Sequence, residues 1–144
     1  GAKAKMNPPL RTQEHVDALW AGITDGTVDC IATDHAPHTL EEKNTPEPLK
    51  APSGVPGVET MLPLLLTAAS QKKLNYSDIV RLCFDAPNTI FRLGKNGVTQ
   101  GSVANLVLID PKKSWTIHAA DLHAKCGWTP FEGWEMTGQI MQVI

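Results

Sequence analysis

The chain has 144 residues, 42% of them hydrophobic and 19% charged, with a formal net charge of −2 at pH 7, the size and balance of a folded domain and not of a disordered or fibrous segment. No cluster of Lys and Arg interleaved with aromatics offers the phosphate-neutralising surface that a nucleic-acid partner requires, and no apolar run approaches the roughly 20 residues that cross a bilayer as a helix. The expected partner is a small molecule or another protein, with neither nucleic acid nor membrane.

Residues 6–11, Met-Asn-Pro-Pro-Leu-Arg, carry two prolines that hold an extended path and keep Asn7 out of helix. Thr12 then stands as N-cap of a helix in which Val16, Leu19, Trp20 and Ile23 recur at helical spacing and Gly26 is the stop. That stripe predicts burial against a sheet. Val28, Cys30, Ile31 and Ala32 are small or β-branched and predict a short strand covered on both faces, which Pro37 ends by lacking an N–H. Asp34, His35 and His38 are thereby placed at the carboxyl end of a strand, where α/β folds bind ligands.

Residues 39–57, with Glu41, Glu42, Lys43 and four interrupting prolines at 46, 48, 52 and 56, predict a long loop without regular structure, placed to cover such a site. Val58, Met61, Leu62, Leu65 and Ala69 then mark a mostly buried helix over residues 58–73, with Pro63 tolerated in its first turns. Ser77 is the expected cap of a third helix through Ile79, Val80, Leu82 and Cys83, and residues 87–93 form a short fourth closed by Gly94. Beyond Gly94 the period becomes that of strands, over residues 103–109, 114–118 and 138–144, with an ordered aromatic loop at 126–135.

Cys30, Cys83 and Cys126 stand far apart without a Cys-x-x-Cys, as reduced thiols do, so the cytoplasm is the expected compartment. The chain opens on Gly1-Ala2-Lys3 and stops inside an expected strand, so it is read as a fragment of a longer parent. Asp34 with His35 and His38 reads as a metal site, an acid–base pair or a charged loop. Asp followed by His-x-x-His is a weak pattern by itself, because metal sites need three or four convergent ligands. His15, His118 and His123 read as surface or core residues. An acid at the end of an apolar strand is costly to place without a partner, which makes Asp34 a candidate base or ligand. No Gly-x-Ser-x-Gly, Gly-x-Gly-x-x-Gly or P-loop pattern supports serine nucleophile chemistry or nucleotide binding.

Four motifs taken together carry a resemblance. Asn-Pro-Pro-Leu-Arg at 7–11, Ala-Thr-Asp-His-Ala-Pro-His-Thr-Leu-Glu-Glu-Lys at 32–43, Gly-Val-Pro-Gly-Val-Glu-Thr-Met-Leu-Pro-Leu-Leu-Leu at 54–66 and Trp-Thr-Pro-Phe-Glu-Gly at 128–133 resemble the dihydroorotases of the amidohydrolase superfamily. The resemblance implies an α/β fold: the carboxyl-terminal portion of a (β/α)8 TIM-type, metal-dependent hydrolase barrel, over residues 1–94 with an active-site loop at 39–57. Strands of a small all-β domain follow over residues 95–144.

It further implies zinc-dependent, reversible hydrolysis of dihydroorotate to N-carbamoyl-aspartate in pyrimidine synthesis. Asp34 would contact one of two zinc ions and shuttle the proton, while Asn7, His38, Ser53 and Gly54 bind substrate. Ser53 departs from the family, in which many relatives have Phe-Gly at the Ser53-Gly54 pair. The remaining metal ligands are expected upstream, in the rest of the parent, with a homo-oligomer or aspartate transcarbamoylase as further partners. Hydantoinases and allantoinases are the rival reading, as is a non-catalytic dihydroorotase-like scaffold; His38, a donor suited to an anionic ring, favours dihydroorotase.

Overall fold

The structure, a computed structural model, describes residues 2–144. Helix α1 (Gln13–Asp25) starts from Thr12, whose extended backbone is that of an N-cap although its side chain makes no capping bond, and stops at Gly26. Its apolar stripe is not buried as the periodicity predicts: only Gly22 and Ile23 of α1 are buried, Val16 is exposed and Leu19 is 63% exposed. The following segment explains this. Residues 27–33 are extended but join no β-ladder. The Ile31 N–H is donated to the Leu82 carbonyl (3.1 Å), and His35 forms a parallel bridge with Val55. A single extended segment presents a ridge to a helix and not a sheet face, so it covers only part of the stripe.

Residues 39–57 are not wholly irregular, as their polarity suggests. They hold α2 (Leu40–Lys43), one helical turn closed by a reciprocal capping box: the Thr39 hydroxyl accepts the Glu42 N–H (3.2 Å) and the Glu42 carboxylate accepts the Thr39 N–H (2.7 Å). Helix α3 (Met61–Ser70) is apolar over most of its surface, admits Pro63 in its first turn and buries Pro63, Leu65, Leu66 and Ala68. With Leu74 and Ile79, Leu65, Leu66 and Ala68 make the core.

Helix α4 (Tyr76–Val80) is capped by Asn75 and not by the predicted Ser77. The Asn75 side chain accepts the Asp78 N–H (2.9 Å) and the Asp78 carboxylate accepts the Asn75 N–H (3.0 Å). The third and fourth predicted helices are one rod, because a π turn (Arg81–Asp85) joins α4 to α5 (Ala86–Ile90) without a break. A widened turn admits Pro87, whose ring would crowd a regular helix, and leaves the Leu82 carbonyl available to Ile31.

Strands β1 (Val107–Thr116) and β2 (Glu135–Val143) pair antiparallel, Val107 opposite Val143 and Thr116 opposite Glu135. The two strands expected at 103–109 and 114–118 are thus a single one. The register shifts between Asp110 and Ser114, where Pro111 has no N–H to give and the Asp110 carboxylate accepts the Lys112 N–H (2.9 Å). The loop at 126–135 is ordered, with Trp128 and Thr129 buried and Phe131 edge-on to Trp134 at 5.2 Å. Among the described residues no helix is long and apolar enough to cross a membrane.

Strand β2 seats on α3. The Thr67 hydroxyl donates to the Pro63 carbonyl (2.9 Å) and accepts the Thr137 N–H (3.0 Å), while Gly138, at φ 98°, lies against Leu66. A Cβ at position 138 would sit 2.7 Å from the Leu66 Cβ, and the Trp115 indole N–H is donated to the Gly138 carbonyl (3.0 Å). Gly138→Ala therefore meets both a left-handed backbone and a backbone-near clash. It is expected to lower the unfolding free energy of the parent protein by about 1 to 3 kcal/mol, measured by denaturant titration.

Candidate functional site

Three stretches of chain meet around the end of the extended segment. The first holds Lys5, the second Ala36 and His38, and the third residues 52–54. Asp34 ends the extended path in a left-handed conformation (φ 44°), which an Asp tolerates better than most side chains, and is exposed. Among the described residues it joins no ion pair.

His35 turns away to a structural task. Its Nδ1 accepts the N–H groups of Gly57 (3.0 Å) and Val58 (3.2 Å), which places the ring proton on Nε2 and ties the strand end to the approach to α3. His38 is half-buried, with Nε2 3.1 Å from the Ser53 carbonyl and Nδ1 3.8 Å from the Glu42 carboxylate. The main-chain carbonyl of His38 accepts the Trp128 indole N–H at 2.7 Å, so the aromatic loop braces this turn.

Asn7 and Ser53 are exposed, whereas Gly54 is buried at φ 121°. A Cβ on Gly54 would lie 2.5 Å from that of Ala36, and the Ala36 N–H reaches the Val55 carbonyl at 3.1 Å. Only glycine allows the loop backbone to close on the His35–His38 turn in this way. The sequence-predicted residues His38, Ser53 and Gly54 are therefore brought together directly; Lys5, two residues before Asn7, gives its carbonyl to the Gly54 N–H (3.0 Å), while no hydrogen bond among the described residues ties the side chain of Asn7 or Asp34 to them.

The group that joins these stretches is Lys43, to which the sequence pattern assigns no role beyond a polar loop. It is fully buried, and its ammonium donates to the carbonyls of Lys5 (3.0 Å), Pro52 (2.9 Å) and Gly54 (2.9 Å). Burial, with a smaller contribution from the nearby Lys5 ammonium, pushes the Lys43 pKa below its ordinary value. Shutting a charge from water costs several kcal/mol, and three charge-assisted hydrogen bonds of about 1.5–3 kcal/mol each are of the size that offsets it. Lys5 staples the same loop from outside, donating to the carbonyls of Leu49 (2.6 Å) and Ala51 (2.7 Å).

Glu59 was equally silent in the sequence. Its carboxylate accepts the His123 N–H (2.9 Å), the His123 ring at 2.8 Å and the Ala124 N–H (3.1 Å), joining the segment after β1 to the approach to α3. The only sign of either residue was its place inside a resembling motif.

Among the described residues no three His, Cys, Asp or Glu side chains converge to hold a metal ion. Asp34 brings one carboxylate, His35 spends Nδ1 on backbone, and His38 faces the Ser53 carbonyl. The donor set present does not fit a metal centre. A cleft of about 400 Å³ between α1, α3 and β2, walled by Trp20, Ile31, Met61, Leu65 and Met136, includes none of Asp34, Asn7 and His38.

No family model matches the chain. It is 48% identical over 134 residues to a dihydroorotase of Halobacterium salinarum, covering 92% of this chain and 32% of that one. It is 41% identical over 140 residues to a dihydroorotase of Pyrococcus furiosus, covering 97% and 32%. Along nearly its whole length the chain is similar to dihydroorotases. It spans about a third of the length of the curated dihydroorotases it matches, as their carboxyl-terminal part.

Among solved structures, the D-hydantoinase (dihydropyrimidinase) of Thermus sp. superposes with a TM-score of 0.91 at 29% identity, over 99% of this chain and 32% of that one. The α/β architecture is accordingly the closing portion of a (β/α)8 amidohydrolase barrel with strands of a small β domain.

Burial of Glu59 works to raise its pKa, but the hydrogen bonds from His123 and Ala124 outweigh it and hold the carboxyl below its ordinary range. A carboxyl depressed in the folded state contributes stability above its unfolded pKa, about 4.3 for glutamate, and loses it as pH falls through the folded value. Glu59→Gln is expected to lower the unfolding free energy of the parent by about 1–2 kcal/mol at pH 7, with the difference from wild type shrinking as pH falls below about 4. Denaturant titrations across pH measure it.

Proposed function

We propose that this chain is the carboxyl-terminal part of a dihydroorotase, which hydrolyses the cyclic amide of dihydroorotate to N-carbamoyl-aspartate and runs in reverse for pyrimidine synthesis. The observation that carries the reading is the 48% identity to a dihydroorotase over 134 residues, in a chain whose Lys5, His38, Ser53 and Gly54 are joined by hydrogen bonds. In this reading Asp34 accepts a proton from the water that adds to the ring carbonyl and returns it to the ring nitrogen as the C–N bond breaks. Asn7 and His38 donate to the anionic ring, and the Ser53-Gly54 turn closes over it.

The parent is a zinc enzyme in this reading, with Asp34 as the one ligand from this chain and the others from the part of the protein outside it. Residues 1–94 are assigned to the barrel and 95–144 to the small β domain. The compartment is the cytoplasm, and self-association or an aspartate transcarbamoylase partner would cover surfaces left open. The superposition on a D-hydantoinase supports one other reading, a sister cyclic amidase.

Turnover of dihydroorotate, hydantoin and allantoin by the parent separates the two: dihydroorotate is expected to be preferred, and preference for either other ring overturns the assignment. Asp34→Asn in the parent is expected to lower kcat by about 100-fold or more. The 144-residue chain alone is expected to bind zinc weakly and to hydrolyse no dihydroorotate, so measurable turnover by it would refute the division of the site between two parts of the parent.

A further inference from the structure

We infer that Lys43 is a positioning residue for substrate binding, one that holds Asn7 and the Ser53-Gly54 turn at a set distance from His38. The inference rests on the dihydroorotase reading above. Every acceptor of the Lys43 ammonium belongs to one of the two stretches assigned to substrate: the Lys5 carbonyl lies two residues before Asn7, and the Pro52 and Gly54 carbonyls flank Ser53. The other end of α2 is fixed as firmly. Thr39, next to His38, is locked to Glu42 by the capping box, and Glu42 lies 3.8 Å from the His38 ring. The His38 imidazole thus lies just before this turn and the Lys43 ammonium at its end, which ties the three stretches to one another.

The residue type follows from the geometry. Three carbonyls within 3.0 Å of a single nitrogen require three donors on one atom, which an ammonium supplies. A guanidinium spreads its donors over a planar fork and cannot converge on them in the same way, and a methionine would leave the Pro52 and Gly54 carbonyls without a donor. No hydrogen bond joins Asp34 to this ammonium or to its three acceptors. The position of Asp34 is set by the extended segment, by its own left-handed turn and by His35 on the amides of Gly57 and Val58. Loss of the ammonium therefore displaces the groups that hold substrate and leaves the proton-transferring carboxylate in place.

The test uses the full-length parent with Lys43→Met and Lys43→Arg, and Glu59→Gln as a variant weakened at a contact remote from the substrate stretches. For Lys43→Met the KM for dihydroorotate is expected to rise about 10-fold or more with kcat within about 3-fold of wild type. Lys43→Arg is expected to fall between Lys43→Met and wild type, and Glu59→Gln to keep the wild-type KM. A Lys43→Met enzyme whose KM stays within about 2-fold of wild type while its Tm falls like that of Glu59→Gln would reduce Lys43 to a stability role and overturn the inference.

If Lys43→Met does not fold, Lys43→Arg carries the same KM criterion. If the wild-type parent does not turn over dihydroorotate, the functional reading fails. Amide exchange read by mass spectrometry over residues 5–9 and 50–56 then decides the positioning role: faster exchange in both segments together upon substitution supports it, and unchanged exchange in either overturns it.

Discussion

An ammonium sealed from water must find three acceptors or give up its charge, and at Lys43 that demand organises the region on which the rest of the site depends. The acceptors lie far apart in sequence, at Lys5 on one side and at Pro52 and Gly54 on the other. Hydrogen bonding to one nitrogen brings them within a few ångströms of the turn that ends the extended segment. The prolines of residues 44–56 keep the loop from forming regular ladders of its own, which leaves its carbonyls free to be collected. Gly54 completes the closure because any side chain there would collide with Ala36.

A second set of joins holds the β tail to the helical part, and each pairs a polar group with a close backbone approach. Thr67 relays a hydrogen bond from the Thr137 amide to the Pro63 carbonyl, and Leu66 fills the space that Gly138 leaves beside it. Glu59 gathers the amides of His123 and Ala124, and Trp128 reaches the His38 carbonyl. The Trp-Thr-Pro-Phe-Glu-Gly motif thereby braces the turn that bears His38 from the segment between β1 and β2. Glu132 of the same motif accepts the Ala119 N–H (2.7 Å) and lies 3.0 Å from the His118 ring. Those bonds hold its carboxyl below the ordinary range.

Much of this was legible one residue at a time. Helical spacing located α1 and α3, Gly26 marked a stop, and Pro37 marked where the extended segment gives way to the Asp34–His38 turn. Where structure and local pattern differ, the deciding partner lies outside the pattern. Ser77 looked like a cap, yet Asn75 wins because Asp78 stands three residues on to complete a reciprocal box. Pro87 looked like a helix boundary, yet a π turn carries the rod through it. The stripe on α1 looks like a buried face, but in the structure only its Trp20–Ile23 end packs on the core while Val16 and Leu19 stay exposed.

Sequence by itself determined which residue types stand at the end of the extended segment and, through four motifs that are weak singly and specific together, which family the chain resembles. Periodicity and punctuation are local properties, and they survive without knowledge of what packs where. Only the tertiary structure decided that His35 serves the backbone, that His38 and Ser53 adjoin, and that a lysine in a charged, proline-broken stretch is the most deeply buried cation of the site. The burial of Lys43 depends on carbonyls contributed from residues 5, 52 and 54. No pattern within the window around position 43 encodes where those carbonyls will be once the chain has folded.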